Sequence, residues 1–167
     1  METNKIILPT DFSVKSLELV RKVLNDASAP EPLSIVLLHG TYLSNSITDL
    51  LFFSKSKTIN KLKTDEFNEA CNLLKNKYLD KINSLHVDLI ISDQKAYFNS
   101  FVKKLQITKI FIPDEGFLDF SKVNGFNTLT LLKNCGVSCS EIIFEPEANL
   151  NSVENGRFSN LLLSKLK

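Results

Sequence analysis

The residues of this chain best placed to do chemistry stand just behind short apolar runs. Asp11, within Pro9-Thr10-Asp11-Phe12-Ser13, offers a carboxylate for a ligand hydroxyl or a base edge. The same carboxylate also suits its own turn, where it can accept backbone amides near the positive end of a following helix. His39 closes a second apolar run and has the chemistry of a base. No serine or cysteine nucleophile stands in a spacing that would pair with it, so a structural histidine is the expectation. Cys135-Gly136-Val137-Ser138-Cys139 holds two thiols, but no further cysteine or histidine pair completes the four ligands zinc requires. The spacing is also one residue longer than a redox Cys-x-x-Cys, and small buried thiols are the plainer reading. Asp88, Asp93 and Asp114 fall near strand ends without a metal-binding spacing, and His86 reads as a solvated loop residue. Lys55, Lys57, Lys61 and Lys63 are followed at once by Asp65, Glu66 and Glu69, the pattern of a charge-balanced surface. No glycine-rich loop ends in the Lys-Ser/Thr of a P-loop.

The composition narrows the function classes. The chain has 167 residues, of which 43% are hydrophobic and 23% charged, as expected for one globular domain. Twenty Lys and Arg against nineteen Asp and Glu give a net charge of +1. A dedicated nucleic-acid or anionic-membrane binder would be more basic, so neither partner is expected. No apolar run reaches the ~18 residues of a membrane span. The opening Met1–Lys5 lacks the pattern of a signal peptide, and three cysteines are too few for a disulfide scaffold. A cytoplasmic location is the expectation.

These side chains must be carried by an alternating framework. Strands are predicted at 5–9, 33–39, 87–91, 109–112 and 141–144, each short and nearly continuous in apolar residues. Ser13 is placed to cap a helix whose apolar stripe is Val14, Leu17, Val20, Val23, Leu24 and Ala27. Pro30 and Pro32 end it. Residues 41–63 read as a short helix or packed loop and then a polar, mobile stretch. A long helix is predicted over 64–85, a shorter one over 96–105 and another near 128–135. Alternation of strands and helices specifies an α/β domain, a parallel sheet covered by helices on both faces. The domain is expected to span 1–146, and 147–167 to form a tail with a short helix around Phe158, Leu161, Leu162 and Leu166. Ligands of such sheets bind beyond the carboxyl ends of the strands, which directs attention to 9–13, 39–41 and 113–127.

Those segments carry a family likeness. Lys5-Ile6-Ile7-Leu8-Pro9-Thr10-Asp11-Phe12-Ser13 resembles the opening of the universal stress protein family, and Leu37-Leu38-His39 resembles the end of that family's second strand. The resemblance covers roughly residues 4–145. It implies a Rossmann-like, doubly wound five-stranded sheet of order 3-2-1-4-5, related to the adenine nucleotide alpha hydrolase-like folds. It also implies a cytoplasmic stress-response module, no enzyme, that pairs as a homodimer through the last strand, here Ile142, Ile143 and Phe144. Many members bind ATP through Gly-x2-Gly-x9-Gly-Ser/Thr/Asn after strand four. Laid on this chain, Pro113 takes the first glycine position, Gly116 the second, Phe126 the third, and Asn127 follows. Proline removes an N–H donor, and phenylalanine adds bulk where amides should approach phosphate. The ATP motif is therefore degenerate and no cofactor is expected. The residues that would line a remaining ligand site are Pro9, Thr10, Asp11, His39, Gly40, Gly116 and Asn127. The alternative is a stress protein that binds ATP or AMP through an altered phosphate loop. An enzyme of related fold ranks last, since no nucleophile–base pair is visible.

Overall fold

The computed structural model describes residues 4–26, 31–123 and 125–144, with the backbone alone at 122 and 123. The predicted tail and Ala27 lie outside the described residues. The chain forms β1 (Lys5–Pro9), α1 (Leu17–Asp26), β2 (Leu33–Thr41), α2 (Ile47–Leu51), α3 (Lys55–Leu62) and α4 (Asp65–Lys77). It continues through β3 (Ile82–Ile90), α5 (Lys95–Leu105), β4 (Lys109–Pro113), β5 (Gly125–Phe126), α6 (Leu129–Lys133) and β6 (Cys139–Ile142).

The sheet order is β3-β2-β1-β4-β6, with β5 pairing β2 off this path. All pairs along the order are parallel. The expected 3-2-1-4-5 order is thus present, with β6 as the fifth strand and one additional short antiparallel strand. Alternation along the central strands divides the core in two. Ile6, Leu8, Ile35 and Leu37 face Leu17, Val20 and Leu24 of α1 and Phe67, Ala70 and Leu74 of α4. Ile7, Val36 and Leu38 face Phe98 and Val102 of α5 and Leu129 and Leu132 of α6. Residues of opposite parity point to opposite faces of a strand, so a central strand buried on both sides must be apolar throughout.

Several boundaries differ from the sequence expectation. The long helix ends at Lys77, and Ile82 belongs to β3, five residues ahead of the predicted strand start. Periodicity carries past Tyr78, but β2 presents a full row of backbone groups from Leu33 to Gly40, and Ile82–Ile90 satisfies them. His86 accordingly lies inside β3 and not in a loop. Residues 55–62 are helical, capped by the Ser54 hydroxyl, while Ile59 and Leu62 pack on the core. Ile47, Leu50 and Leu51 form a helical turn but stay exposed. The last strand runs two residues earlier than expected, so of Ile142, Ile143 and Phe144 only the first is in it.

Candidate functional site

Ser13 caps a single 3-10 turn at Val14–Ser16, its hydroxyl accepting the Ser16 amide at 3.1 Å, and α1 continues from there. Thr10 is fully buried: its amide donates to the Leu38 carbonyl, and its hydroxyl pairs with the Ser16 hydroxyl at 2.8 Å and accepts the Phe12 amide at 3.1 Å. Those bonds hold Phe12 at φ 61°, a left-handed conformation costing about 1–2 kcal/mol in an L-residue. The strain turns the Phe12 ring into the core, 5.0 Å from the His39 ring and 5.6 Å from Phe67.

Asp11 uses both of its oxygens. Oδ1 accepts the Ser13 amide at 3.0 Å and the Ser13 hydroxyl. Oδ2 accepts the Asp119 amide at 3.0 Å, from the loop beyond β4. The carboxylate thus joins the two loops that flank the switch point between β1 and β4.

His39 is fully buried, with Nδ1 2.9 Å from the Thr10 carbonyl oxygen. Next to it, Gly40 and Thr41 pair antiparallel with Phe126 and Gly125 of β5. The fit is close on both sides. A Cβ at Gly40 would lie 2.6 Å from two ring carbons of Phe126, and one at Gly125 would lie 2.8 Å from the Gly40 carbonyl and the His39 ring. Phe126 also meets the Tyr42 ring at 4.9 Å. The Phe126 ring thus lies over the end of β2.

Beyond β4, Pro113 is buried as the last residue of that strand. The Phe117 amide donates to the Asp114 carbonyl at 3.3 Å, and Gly116 takes φ 85° within this turn, which favours glycine. Gly116 is exposed, and an added Cβ there would meet nothing within 4 Å. The Asn127 side-chain oxygen accepts the Leu129 amide at 2.9 Å, and Thr128 precedes α6 with its hydroxyl buried and no hydrogen-bond partner among the described residues. Of the seven predicted site residues, Pro9, Thr10, Asp11, His39 and Gly40 therefore cluster around two strand ends. Asn127 directly follows Phe126, which pairs with Gly40, so β5 carries its backbone to the same end of β2, while Gly116 stands in the turn after β4.

Elsewhere, Lys55 bridges Asp88 at 3.1 Å across to β3. Burial raises the Cys139 thiol above its ordinary range, with Cys135 nearby adding to the effect. No group of three or more His, Cys, Asp or Glu residues among the described ones is arranged to hold a metal. No helix among them is long and apolar enough to cross a membrane. Sequence reasoning missed the Asp11–Asp119 bridge and the Phe126–Gly40 contact. Gly125-Phe126 was too short a run to signal a strand.

No family model and no curated protein matches the chain. Solved structures do. The hypothetical protein MJ0577 aligns over 88% of this chain and 100% of its own, with 16% identity and a TM-score of 0.53. A protein of the universal stress protein family from Burkholderia pseudomallei aligns over 83% and 95%, with 9% identity and a TM-score of 0.50. The fold is that of the universal stress proteins. In this universal stress protein fold the strand order places β1 and β4 side by side, and the bridge from Asp11 to Asp119 spans their carboxyl ends.

Proposed function

We propose that the chain works as a universal stress protein-like binding or regulatory module without a tight ATP site and without catalytic activity. The contact that carries this reading is Phe126 against Gly40. β5 ties the segment before α6 to the end of β2, so part of the Gly125–Phe126 backbone is taken up by strand pairing. Pro113 contributes no amide in the preceding loop. Asp11 is already bonded to Asp119 and Ser13.

Such a module acts through contacts with other chains. A homodimer through the β6 edge is part of the proposal, since an edge strand offers unpaired backbone groups. Phe144 takes little part in it. Its ring stacks on Phe117 with centroids 4.0 Å apart, and its amide donates to Asp114 at 3.1 Å. Ile143, 66% exposed, is the apolar side chain at that edge still available to a second copy.

Calorimetric titration with ATP and with AMP tests the reading. No heat of binding is expected at micromolar protein. A micromolar or tighter dissociation constant for either nucleotide overturns it and favours the altered-pocket alternative. Sedimentation of the native chain and of Ile143→Asp tests the dimer: the native chain should associate and the variant should not.

A further inference from the structure

Midway along β2 and β3, away from their carboxyl ends, a cavity of about 190 Å³ opens between the sheet and α4. Its buried base is apolar, formed by Leu37, Leu85 and Val87. Its more exposed rim is polar. Asn68, Asn72 and Lys75 come from one face of α4, at spacings of four and three, and Lys63 comes from the loop between α3 and α4. No carboxylate lines it. Among the described residues, neither ammonium forms an ion pair and neither side-chain amide makes a hydrogen bond.

We infer that this cavity binds a small organic anion, its charged group held between Lys63 and Lys75 and its short hydrocarbon body laid on Leu37, Leu85 and Val87. Two cations without a neutralising carboxylate favour a phosphate or carboxylate head, and the two amides supply further donors to its oxygens. The apolar base gains from covering by a hydrocarbon. Cys71 lines the same cavity, and burial pushes its thiol up to about 11. Lys63 and Lys75, which line the cavity with it, pull that thiol the other way. The site lies outside the region of Asp11, His39 and Gly40, so its fate is independent of nucleotide binding there.

Cys71 supplies the readout. The full chain is alkylated with iodoacetamide at about pH 9, where a little of the raised thiol ionises, and labelling at each cysteine is followed by peptide mass spectrometry. The probes are monohexyl phosphate, hexanol and inorganic phosphate. Monohexyl phosphate at saturation is expected to slow labelling of Cys71 about fivefold or more and to leave Cys135 and Cys139 unchanged. In the Lys63→Gln/Lys75→Gln double variant, the concentration giving half-protection should rise about tenfold. Equal protection by hexanol would overturn the anion site, and equal protection by inorganic phosphate would overturn the hydrocarbon slot. Absence of protection by monohexyl phosphate overturns the inference outright. The three-probe comparison uses the native chain, so it stands even if the double variant misfolds.

Discussion

Phe126 and Gly40 are fitted to each other: the ring sits where any side chain at Gly40 would begin, 2.6 Å from an added Cβ. Gly40 is therefore required by a neighbouring ring, whatever else passes near it. Gly40→Ala should destabilise the protein by about 1–3 kcal/mol, the range for overpacking a buried site. Phe126→Ala also destabilises, by removing a buried ring. In the Phe126→Ala background, however, Gly40→Ala should be close to neutral, because the clash is gone. Urea denaturation of the four proteins of this cycle measures the coupling, expected at about 1–3 kcal/mol. Strict additivity would mean that Gly40 is constrained by something other than Phe126.

The bridge from Asp11 to the Asp119 amide predicts a local effect with a distant address. Asp11→Ala removes the acceptor for the Asp119 and Ser13 amides, leaving Ser13 to cap the turn with its own hydroxyl. A loss of about 1–2 kcal/mol is expected, typical of a cap and a charge-assisted bond. Hydrogen exchange at the Asp119 amide, more than one hundred residues away in sequence, should accelerate more than exchange in β3. Unchanged exchange at Asp119 would show that the bridge contributes nothing in solution.

How much of this was legible in the sequence follows from what each element answers to. The central strands were, because Ile6-Ile7-Leu8 and Ile35-Val36-Leu37-Leu38 are apolar on both parities and only a doubly covered sheet accommodates that. Ser13 and its turn were, because capping is local chemistry. The end of α4 was not. The apolar spacing through Tyr78 to Ile82 continues the helix, and only the pairing demands of β2 convert Ile82 into a strand residue. β5 was not either, since two residues carry no periodicity. The Phe126 ring was anticipated as an obstacle, but its contact with Gly40 is a tertiary pairing between segments 86 residues apart, to which neither segment points alone.

His86 predicts a pH dependence whose sign is fixed by its surroundings. Burial lowers its pKa below the ordinary value of 6.5, Asp88 opposes the shift, and Lys5, Lys75 and Lys63 add to it. The unfolded chain therefore takes up the proton more readily than the folded one. Stability from this group is fully present above the ordinary value and declines as pH falls through it toward the lowered folded value. His86 stays exposed on the edge strand, and solvent keeps the effect modest. Melting curves of the native chain and of His86→Gln should run parallel above about pH 7 and converge or cross as acid is added. A native curve that strengthens on acidification relative to the variant would reverse the assignment.

Thr128 offers the sharpest test of whether the loop before α6 awaits a ligand. Its hydroxyl is fully buried at the helix start, and no described residue hydrogen-bonds to it, while the adjacent Asn127 caps Leu129. A buried hydroxyl without a partner costs about 1–3 kcal/mol. Valine keeps the branched shape and removes the polar atom. Thr128→Val should accordingly stabilise the protein by about 1 kcal/mol, raising Tm by roughly 2–4 °C. If the hydroxyl instead serves a small molecule that co-purifies with the protein, the variant would melt lower than the native chain. Extensive dialysis would then erase the difference, because the ligand's contribution falls with its free concentration. A lower Tm that survives dialysis would show that the hydroxyl has a partner within the protein or a retained water, and the expected gain from valine would be refuted.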